Sequence, residues 1–535
     1  MPLKHIKNLA ALIASAFLAA GCGGSKETQP EQPAQPAQSD NSWLQLTPST
    51  MDVSVDEGSP QTLTITAKSS KPISQFLFVG VVDNAGVIGP GVRTFNKSPS
   101  EYEAALWVSS KLKPGSYHTR LEVRLCEDQP SICAQPVKGS PWYVPLNVVV
   151  KPGNNLKQLS DLPNVGTWQG EGGSFAHTSY IPASFDPAQF TTRFFNSIVD
   201  EHRSLVGNLT IENGAYYMSV GDARFSAVNA FDEATNAYKG GQGVSLGGSL
   251  TSAPAVVGDQ VFYATNYRLR RVNKATWNWE MEDLKIGYDP EWIQGHSGGL
   301  LLGGSDTINR VNPDTLKVEW TAKLPSRLSA EPAADADKVY VFTEANLSIY
   351  RASDGALVSA PFSTSNRCTT SAVHATDGKG ALYGVCSFNS GAELRAIDTL
   401  SMGRKWSVDG AYKASVALAG TTLYALNAGV LEARDTGDGK LLWSTNLLTG
   451  PDALLEADKV LVTDNLVFVS SEGPSTNEGG KTVAVDLATH KVVWAYPHGG
   501  KMAISSKGIL YIGGNNSSRR EWNIVPPFIA AINLR

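Results

Sequence analysis

The chain has 535 residues and a formal net charge of −5, and only 18% of its residues are charged, beside 50 glycines and 29 prolines. This length predicts two to four domains, and the composition favours many short strands and turns over long surface helices. The negative balance offers no surface for phosphate backbones, which excludes nucleic acid as a partner.

The N-terminus has the pattern of an export signal. Two lysines precede an apolar run from Leu9 to Ala20, which is shorter than the roughly 20 residues that span a bilayer. The segment LAAGC, which ends at Cys22, resembles the bacterial lipobox. This resemblance implies that residues 1–21 are removed as a lipoprotein signal peptide and that Cys22 is acylated. The alternative is an ordinary secretory signal followed by an incidental cysteine.

The residues after Cys22 predict a lipid-anchored tether. Gly23 follows the cysteine, which in enteric-type sorting implies transfer to the outer membrane. Residues 22–42 are rich in proline and glutamine and almost free of apolar residues, so they cannot form a core. We therefore expect an outer-membrane protein that is held by its lipid, and the sequence leaves open whether it faces the periplasm or the outside.

Four further cysteines predict two disulfides, because an even number remains in an exported chain. Cys126 and Cys133 flank a short loop, and Cys368 and Cys386 lie symmetrically about Asp377 in a predicted hairpin turn. A metal site is the alternative, but the CxxC spacing is absent and no histidine lies near the first pair. We assign no metal ligand.

Residues 43–151 contain six strand-like runs with alternating apolar residues, separated by turn residues, which predicts a β-sandwich. Within them, LKPGSYHTRLEV (112–123) resembles a run that occurs late in bacterial immunoglobulin-like domains. The resemblance implies an immunoglobulin-like spacer domain. Residues 152–189 are predicted to connect it to the rest of the chain.

The remainder of the chain is repetitive. The stretch DTGDGKLLW, which begins at Asp435, has counterparts that begin at positions 229, 273, 312, 351, 398, 486 and 533, with 37 to 51 residues between neighbours. Each is preceded by a strand, a Gly/Asp turn and a second strand. This period is typical of the four-stranded blades of a β-propeller.

The chemistry of the repeat fits a turn between two strands. Asp or Asn at its start can accept hydrogen bonds from the backbone two residues on, and glycine supplies a positive φ. The recurring tryptophans are predicted to fill the seams between adjacent blades: Trp320, Trp406, Trp443 and Trp494. A calcium loop is excluded for DTGDGKLLW, because the position that needs a bidentate glutamate holds Asn446.

The repeat count predicts a ring that the N-terminal side completes. Seven units are complete, and the eighth stops at the chain end without its tryptophan strand. Residues 190–198 can supply that strand, which would remove the free edges of an open ring. The predicted fold is therefore all-β, with an N-terminal immunoglobulin-like β-sandwich followed by an eight-bladed β-propeller over residues 190–535.

The tandem repeat, with GGSFAHTSYIP (172–182) before it, resembles the repeats of pyrroloquinoline quinone enzymes and their non-enzymatic relatives. In the quinoprotein dehydrogenases, the resemblance implies a cofactor disc at the propeller centre with calcium and a catalytic aspartate, often beside a disulfide between adjacent cysteines. This sequence has neither an adjacent cysteine pair nor a CxxCH haem site. We assign no catalytic residue and no cofactor, and we interpret His177 as a loop contact.

The other subgroup is the BamB-type lipoprotein of the outer-membrane β-barrel assembly machinery, which is similar in lipobox and repeat type but lacks an immunoglobulin-like domain. Since no nucleophile elbow, zinc helix or phosphate loop is present, the leading hypothesis is a non-catalytic scaffold for protein partners in the envelope. The alternatives are a quinone-dependent oxidoreductase and a carbohydrate-binding protein in which Tyr288, Trp292 and Trp522 stack on sugar rings.

Enlarged loops predict where a partner binds. The insertions Ser471–Thr482 and Gly513–Pro527 and the entry loop Leu447–Asp458 are expected on one face of the ring. Residues of the types that dominate interface energy lie in the second insertion: Arg519, Arg520 and Trp522. The alternative is a set of tolerated surface insertions with solvated arginines.

Overall fold

The computed structural model describes residues 42–57, 62–70, 77–89, 93–109, 112–128, 132–151, 155–197, 205–221, 225–245, 253–265, 267–277, 284–288, 290–343, 346–359, 362–363, 370–371, 374–388, 391–449, 453–454, 456–472, 480–514 and 527–535. The predicted signal peptide, Cys22 and the tether up to residue 41 lie outside this part. Among the described residues, no helix has the length and apolar character needed to cross a membrane.

The described chain is all-β, as predicted. The only helical elements in these ranges are two short 3-10 turns, Glu171–Gly173 and Pro187–Gln189. Every other regular element is a strand, and the strands form antiparallel sheets with a few parallel pairs.

The N-terminal part is a two-sheet β-sandwich. One sheet has the strand order Leu44–Thr47, Thr62–Ser69, Glu101–Trp107, Arg93–Ser98, and the other has the order Met51–Asp56, Trp142–Lys151, Gly115–Cys126, Phe78–Val82. Side chains from both sheets share one hydrophobic core. The strand Trp142–Lys151 alternates between buried and more exposed residues along its whole length, as a strand with one face on a core must. The assignment to the immunoglobulin-like class stays a prediction.

Cys126 and Cys133 form a disulfide, with their Cα atoms 5.3 Å apart. Within its loop, Asp128 accepts hydrogen bonds from the backbone N–H groups of Ala134 and Gln135. The two sulfurs bond to each other and therefore offer no thiolate ligand to a metal. Cys386 is fully buried and disulfide-bonded, whereas Cys368 lies outside the described residues.

The chain from residue 168 onward forms eight sheets within its described ranges, which we number as blades 1 to 8. From the innermost strand to the outermost, blades 1 to 3 consist of Leu205–Glu212, Ala215–Gly221, Phe225–Asp232 and Tyr238–Ser245 (blade 1); Ala255–Val257, Gln260–Thr265, Arg268–Asn273 and Leu284–Lys285 (blade 2); and Trp292–His296, Gly299–Gly304, Thr307–Val311 and Val318–Lys323 (blade 3). In the same order, blades 4 and 5 consist of Ala333–Ala334, Lys338–Phe342, Asn346–Arg351 and Phe362–Ser363 (blade 4); and Thr370–Ser371 and Ala375–Thr376, then Ala381–Phe388, Gly391–Asp398 and Gly403–Gly410 (blade 5). Blades 6 to 8 consist of Tyr412–Ala419, Thr422–Asn427, Val430–Asp435 and Leu441–Asn446 (blade 6); Lys459–Thr463, Leu466–Ser471, Lys481–Asp486 and Val492–Tyr496 (blade 7); and Lys501–Ile504, Ile509–Gly514, Phe528–Asn533 and Thr191–Ser197 (blade 8).

Blade 8 joins the two ends of the ring. Thr191–Ser197 pairs antiparallel with Phe528–Asn533 and is the outermost strand of this blade. The first strand of blade 1 contacts the strands of blade 8, and one hydrophobic core extends over blades 7, 8 and 1. Within the described residues, the last blade therefore packs directly against the first.

The repeat DTGDGKLLW forms the turn that the sequence predicts. The carboxylate of Asp435 accepts a hydrogen bond from the N–H of Gly437 at 2.7 Å. The indole N–H of Trp406, which belongs to blade 5, donates to the carbonyl of Thr436 in the blade 6 turn at 3.0 Å. Gly439 has φ +75°, and a Cβ atom there would lie 2.8 Å from the Trp406 ring. The tryptophan of one blade thus packs on the glycine turn of the next blade, which confirms its role in the seam.

The same arrangement recurs at other seams. Trp320 of blade 3 donates to the carbonyl of Ala352 at 3.1 Å, and a Cβ atom on Gly355 would lie 2.6 Å from its ring. Trp443 of blade 6 stacks on His490 in the turn of blade 7, with ring centroids 4.3 Å apart. The spacing of the repeat therefore encodes contacts between blades as well as turns within them.

We expect Gly439→Ala to lower the free energy of unfolding by about 3 kcal/mol, because the substitution combines strain at a positive φ with a clash against Trp406. The matched control is Gly420→Ala, since Gly420 also has a positive φ but has nothing within 4 Å of a Cβ atom. Gly420→Ala should lower the free energy of unfolding by about 1–2 kcal/mol, from backbone strain alone. Urea unfolding of both variants measures the difference, and equal losses would contradict the seam contact.

Candidate functional site

The segment before blade 1 runs along the axis of the ring. We call residues 168–183 the axial segment. Its backbone forms hydrogen bonds with the inner strands of blades 1, 4, 5, 6 and 7, through Gly170 to Leu209, Phe175 to Ala334, Ala176 to Thr376, Thr178 to Leu418 and Ser179 to Val462. A segment that contacts the inner strands of five blades lies at their common centre.

Two parts of the axial segment extend blades as extra inner strands. Trp168–Gln169 pairs antiparallel with the first strand of blade 1, and Tyr180–Ile181 pairs parallel with the first strand of blade 7. From sequence, these residues belong to a connector over residues 152–189, and in the structure two short stretches of it pair with blade strands. The inner edges of the blades carry backbone groups that need hydrogen-bond partners, and the axial segment provides them.

His177 fixes the axial segment to blade 4. Its side chain is 3% exposed, with Nδ1 2.7 Å from the carbonyl oxygen of Glu171 and Nε2 3.0 Å from that of Pro332. The backbone at His177 has φ +50°, which non-glycine residues rarely adopt. These contacts confirm the interpretation of His177 as a loop contact.

A carboxyl group lies beside this histidine. Glu331, just before the first strand of blade 4, accepts a hydrogen bond from the side-chain amide of Gln294 at 2.6 Å. Burial raises the pKa of Glu331 to about 7, because removal from water disfavours the ionised form. A carboxyl that titrates near neutral pH therefore sits against the axial segment.

This pKa predicts a pH-dependent effect of Glu331→Gln. Because the pKa is higher in the folded protein than the ordinary 4.5, the native state binds the proton more tightly, and its stability falls as pH rises from about 4.5 through about 7. The amide cannot ionise, so the variant should be more stable than the parent by about 1–2 kcal/mol at pH 8 and nearly equal to it at pH 4. The expected gain in stability is smaller than the whole pKa shift of Glu331 would give, because this side chain is partly exposed and solvent weakens the effect.

Urea unfolding at pH 4 and pH 8 tests this expectation. Glu456→Gln is the control, since Glu456 is exposed, and it should change stability little at either pH. A stability gain for Glu331→Gln that is the same at both pH values would contradict the assignment.

A pocket opens between the axial segment and the inner strands of blades 7, 8 and 1. Its empty space of about 450 Å³ is partly open to solvent, and its polar lining includes Glu171, Asn208, Lys459 and Lys501. We call it the axial pocket. Its apolar lining comes from Trp168, Leu209, Val460, Leu461 and Met502. Ionisable groups on a concave, partly apolar surface are characteristic of ligand sites.

The two lysines of the axial pocket differ in environment. Burial disfavours the charge on Lys459, but Asp458, at 3.2 Å, and Glu171 outweigh it, so the pKa of Lys459 lies above its usual value. Burial lowers the pKa of Lys501, and the more distant carboxylates of Glu171 and Glu472 offset this only in part. Lys459 is therefore a paired cation, and Lys501 is the more weakly compensated one.

The residues predicted to bind a partner lie outside the described residues: Arg519, Arg520 and Trp522. The described part of the entry loop 447–458 is anchored, because Leu447, Leu454 and Ala457 are each 1% exposed and belong to the core between blades 6 and 7. The described part of this loop therefore packs against the blades with its apolar side chains.

The aromatic residues considered for sugar stacking have other roles where they are described. Trp292 lies in the inner strand of blade 3 and is 3% exposed, with its ring against Gly303. Tyr288 is partly buried, and its hydroxyl donates to the carbonyl of Leu302 at 3.3 Å. The prediction of Trp292 as a stacking platform is wrong, because its ring faces the core, and Trp522 lies outside the described residues.

Comparison with known proteins finds one family model that matches part of the repeat region. A family model described as "Outer membrane protein assembly factor BamB" matches residues 277–523. The fold is similar to the crystal structure of BamB from Moraxella catarrhalis, at 11% identity and a TM-score of 0.45, over 64% of this chain and 99% of that one.

Two other solved structures are similar at the same low level of identity. Sqt1 from Saccharomyces cerevisiae has 12% identity and a TM-score of 0.42, over 63% of this chain and 98% of that one. A europium-containing methanol dehydrogenase has 11% identity and a TM-score of 0.36, over 69% of this chain and 98% of that one. No curated protein sequence matches the chain.

Proposed function

We propose, from the premise that this chain carries a β-propeller of the pyrroloquinoline-quinone-type repeat family, that it is a non-catalytic scaffold in the cell envelope. The protein is held at the outer membrane by a lipid on Cys22 and binds protein partners through its propeller. It takes part in the assembly of outer-membrane proteins, in line with the description of the family model that matches residues 277–523.

The axial segment is the observation that carries the non-catalytic assignment. In the quinoprotein dehydrogenases that the repeat resembles, the cofactor disc lies at the propeller centre. In this chain the backbone of Phe175–Ser179 lies there, bonded to the inner strands of blades 4 to 7. A disc at that position would break these bonds, and each buried backbone group left unsatisfied costs about 1–3 kcal/mol. The central residues therefore do not fit the cofactor.

The decisive experiment compares partner capture with cofactor-dependent activity. The full-length protein, cross-linked in intact cells and purified in detergent, is expected to bring down a component of the barrel-assembly machinery in stoichiometric amount. In parallel, the protein is incubated with pyrroloquinoline quinone and calcium and assayed for dye-linked alcohol or sugar oxidation. Turnover with a bound chromophore, and purification without an assembly component, would overturn the proposal in favour of a quinone-dependent oxidoreductase.

For the partner site we keep the prediction from sequence. Replacement of Arg519, Arg520 and Trp522 together by alanine should leave the melting temperature nearly unchanged and reduce partner capture at least about tenfold, because desolvated Arg and Trp carry much of the energy of an interface. Arg351→Ala is the control, since Arg351 is exposed in a blade 4 turn. A triple variant that captures the partner as the parent does would make this face assignment wrong.

A further inference from the structure

Three polar side chains of the axial pocket form no direct hydrogen bond or close ion pair within the described part of the chain. Among the described residues, the ammonium of Lys501, the carboxylate of Glu171 and the side-chain amide of Asn208 form no side-chain hydrogen bond, and neither charge has an ion-pair partner within 4.0 Å. Each is only partly exposed. A partly buried charge without a partner is costly, because the protein replaces little of the water it has lost.

The charges on the pocket wall are of both signs. Lys501 and Glu171 attract each other electrostatically, but both line the pocket, and no pair of their charged atoms approaches within 4.0 Å. They are held on different parts of the fold, since Lys501 begins the first strand of blade 8 and Glu171 begins the turn in the axial segment. The fold therefore holds the two charged groups apart, and they do not form an ion pair with each other.

This charge distribution discriminates between classes of ligand. The lysines of the pocket would attract a simple anion, but Glu171, Glu472 and Glu331 all interact with Lys501 and would repel it. A simple cation would meet the ammonium groups of Lys459 and Lys501. A ligand with a carboxylate and an ammonium group on adjacent atoms satisfies Lys501 and Glu171 together, and the Asn208 amide can donate to one end or accept from the other.

We propose that the axial pocket binds a small zwitterion of the α-amino-acid class, with its carboxylate on Lys501, its ammonium group on Glu171 and its side chain against Leu209 and Met502. The pocket is narrow and partly open to solvent, which favours a ligand of only a few non-hydrogen atoms. The apolar part of the lining favours a small, uncharged side chain. This site is independent of the protein-binding function, because the proposed partner residues lie on different segments.

The test uses the full-length protein in detergent with glycine, L-alanine and L-serine as probes. Isothermal titration calorimetry should show one site for at least one of them, and that probe should raise the melting temperature by about 2 °C or more at a hundredfold excess over its Kd. Acetate and ethylamine each carry half of the zwitterion, and each should bind at least about tenfold more weakly. An equal response to acetate alone would overturn the proposal, as would the absence of a response to all three amino acids.

Two variants assign the binding to the named charges. Lys501→Met and Glu171→Gln should each weaken binding of the responding amino acid at least about tenfold, because each removes one charge-assisted contact. Glu171→Gln should also bind acetate more tightly than the parent does, since a repelling carboxylate is gone. Lys491→Met, on the exposed outer strand side of blade 7, is the matched control and should bind as the parent does. Undiminished binding by both pocket variants would overturn the site.

Discussion

Replacement of Arg193 by methionine is expected to lower the free energy of unfolding by about 3–5 kcal/mol, because it removes a buried charge-assisted network at the closure of the ring. The side chain is 1% exposed. Its guanidinium donates to the carbonyl of Lys157 at 2.7 Å, to Asn533 Oδ1 at 3.0 Å, and to the carbonyls of Glu233 and Ala234 at 3.0 and 2.8 Å. Methionine fills similar volume and leaves four acceptors without a donor.

The Arg193 network connects three parts of the chain that are far apart in sequence. Lys157 belongs to the segment after the sandwich, Glu233 and Ala234 to the turn of blade 1, and Asn533 to the last strand. Urea unfolding followed by tryptophan fluorescence measures the loss, with Arg351→Met as control. Arg351 is exposed and forms a surface ion pair with Asp354, so its replacement should cost about 0.5 kcal/mol or less. Similar losses for both variants would show that Arg193 does not hold the closure together.

Trp168→Ala is expected to lower the free energy of unfolding by about 3–5 kcal/mol, because it leaves a large cavity in the core. It should also loosen the axial segment. Trp168 is 3% exposed and belongs to the core that spans blades 7, 8 and 1. Its indole N–H donates to the carbonyl of Gly170 at 2.9 Å, and a Cβ atom on Gly173, whose φ is +78°, would lie 2.7 Å from its ring. The ring thus holds the glycine-rich turn of the axial segment in place.

Hydrogen exchange gives the sharper measurement for this variant. Amides of the described chain that bond to the axial segment, such as those of Leu418 and Val462, should lose protection in Trp168→Ala more than amides in the outer strands do. Trp443→Ala is the control, because its ring is only partly buried and stacks on His490 in the outer part of the ring. Uniform loss of protection across the blades would contradict a local role of Trp168.

The parts of the fold that the sequence predicts well are those whose chemistry is local. The turn of Asp435 depends on a side chain that bonds two residues further on and on one glycine with positive φ, so its pattern is visible in a stretch of nine letters. A tryptophan recurs after several of these turns because its ring packs on the turn of the next blade. Because the contact between blades is repeated, it leaves a repeated pattern that can be recognised in the sequence.

The parts that the sequence does not reveal depend on distant partners. The axial segment shows no alternation of apolar residues, and its hydrogen-bond partners lie in five different blades, so no periodicity marks it. Trp292 is a candidate for sugar stacking from sequence, but the inner strand that holds it is buried along its length, and Gly303 leaves room for its ring. From sequence, Arg193 is only a charged residue in the strand that closes the ring. Its four hydrogen-bond acceptors come together only in the folded protein.

The position of the axial segment in the chain constrains the order of folding. Tyr180 pairs with Val462 and Ser179 bonds to the same residue, so a segment synthesised before every blade finds its last partners only after six blades have followed it. Contacts between residues this far apart in sequence slow folding. Unlike a linear repeat array, which can grow unit by unit, this ring has to enclose its own leading segment. A chain that ends before blade 7 would leave that segment unpaired on one side, so truncated or stalled chains should be substrates for proteases.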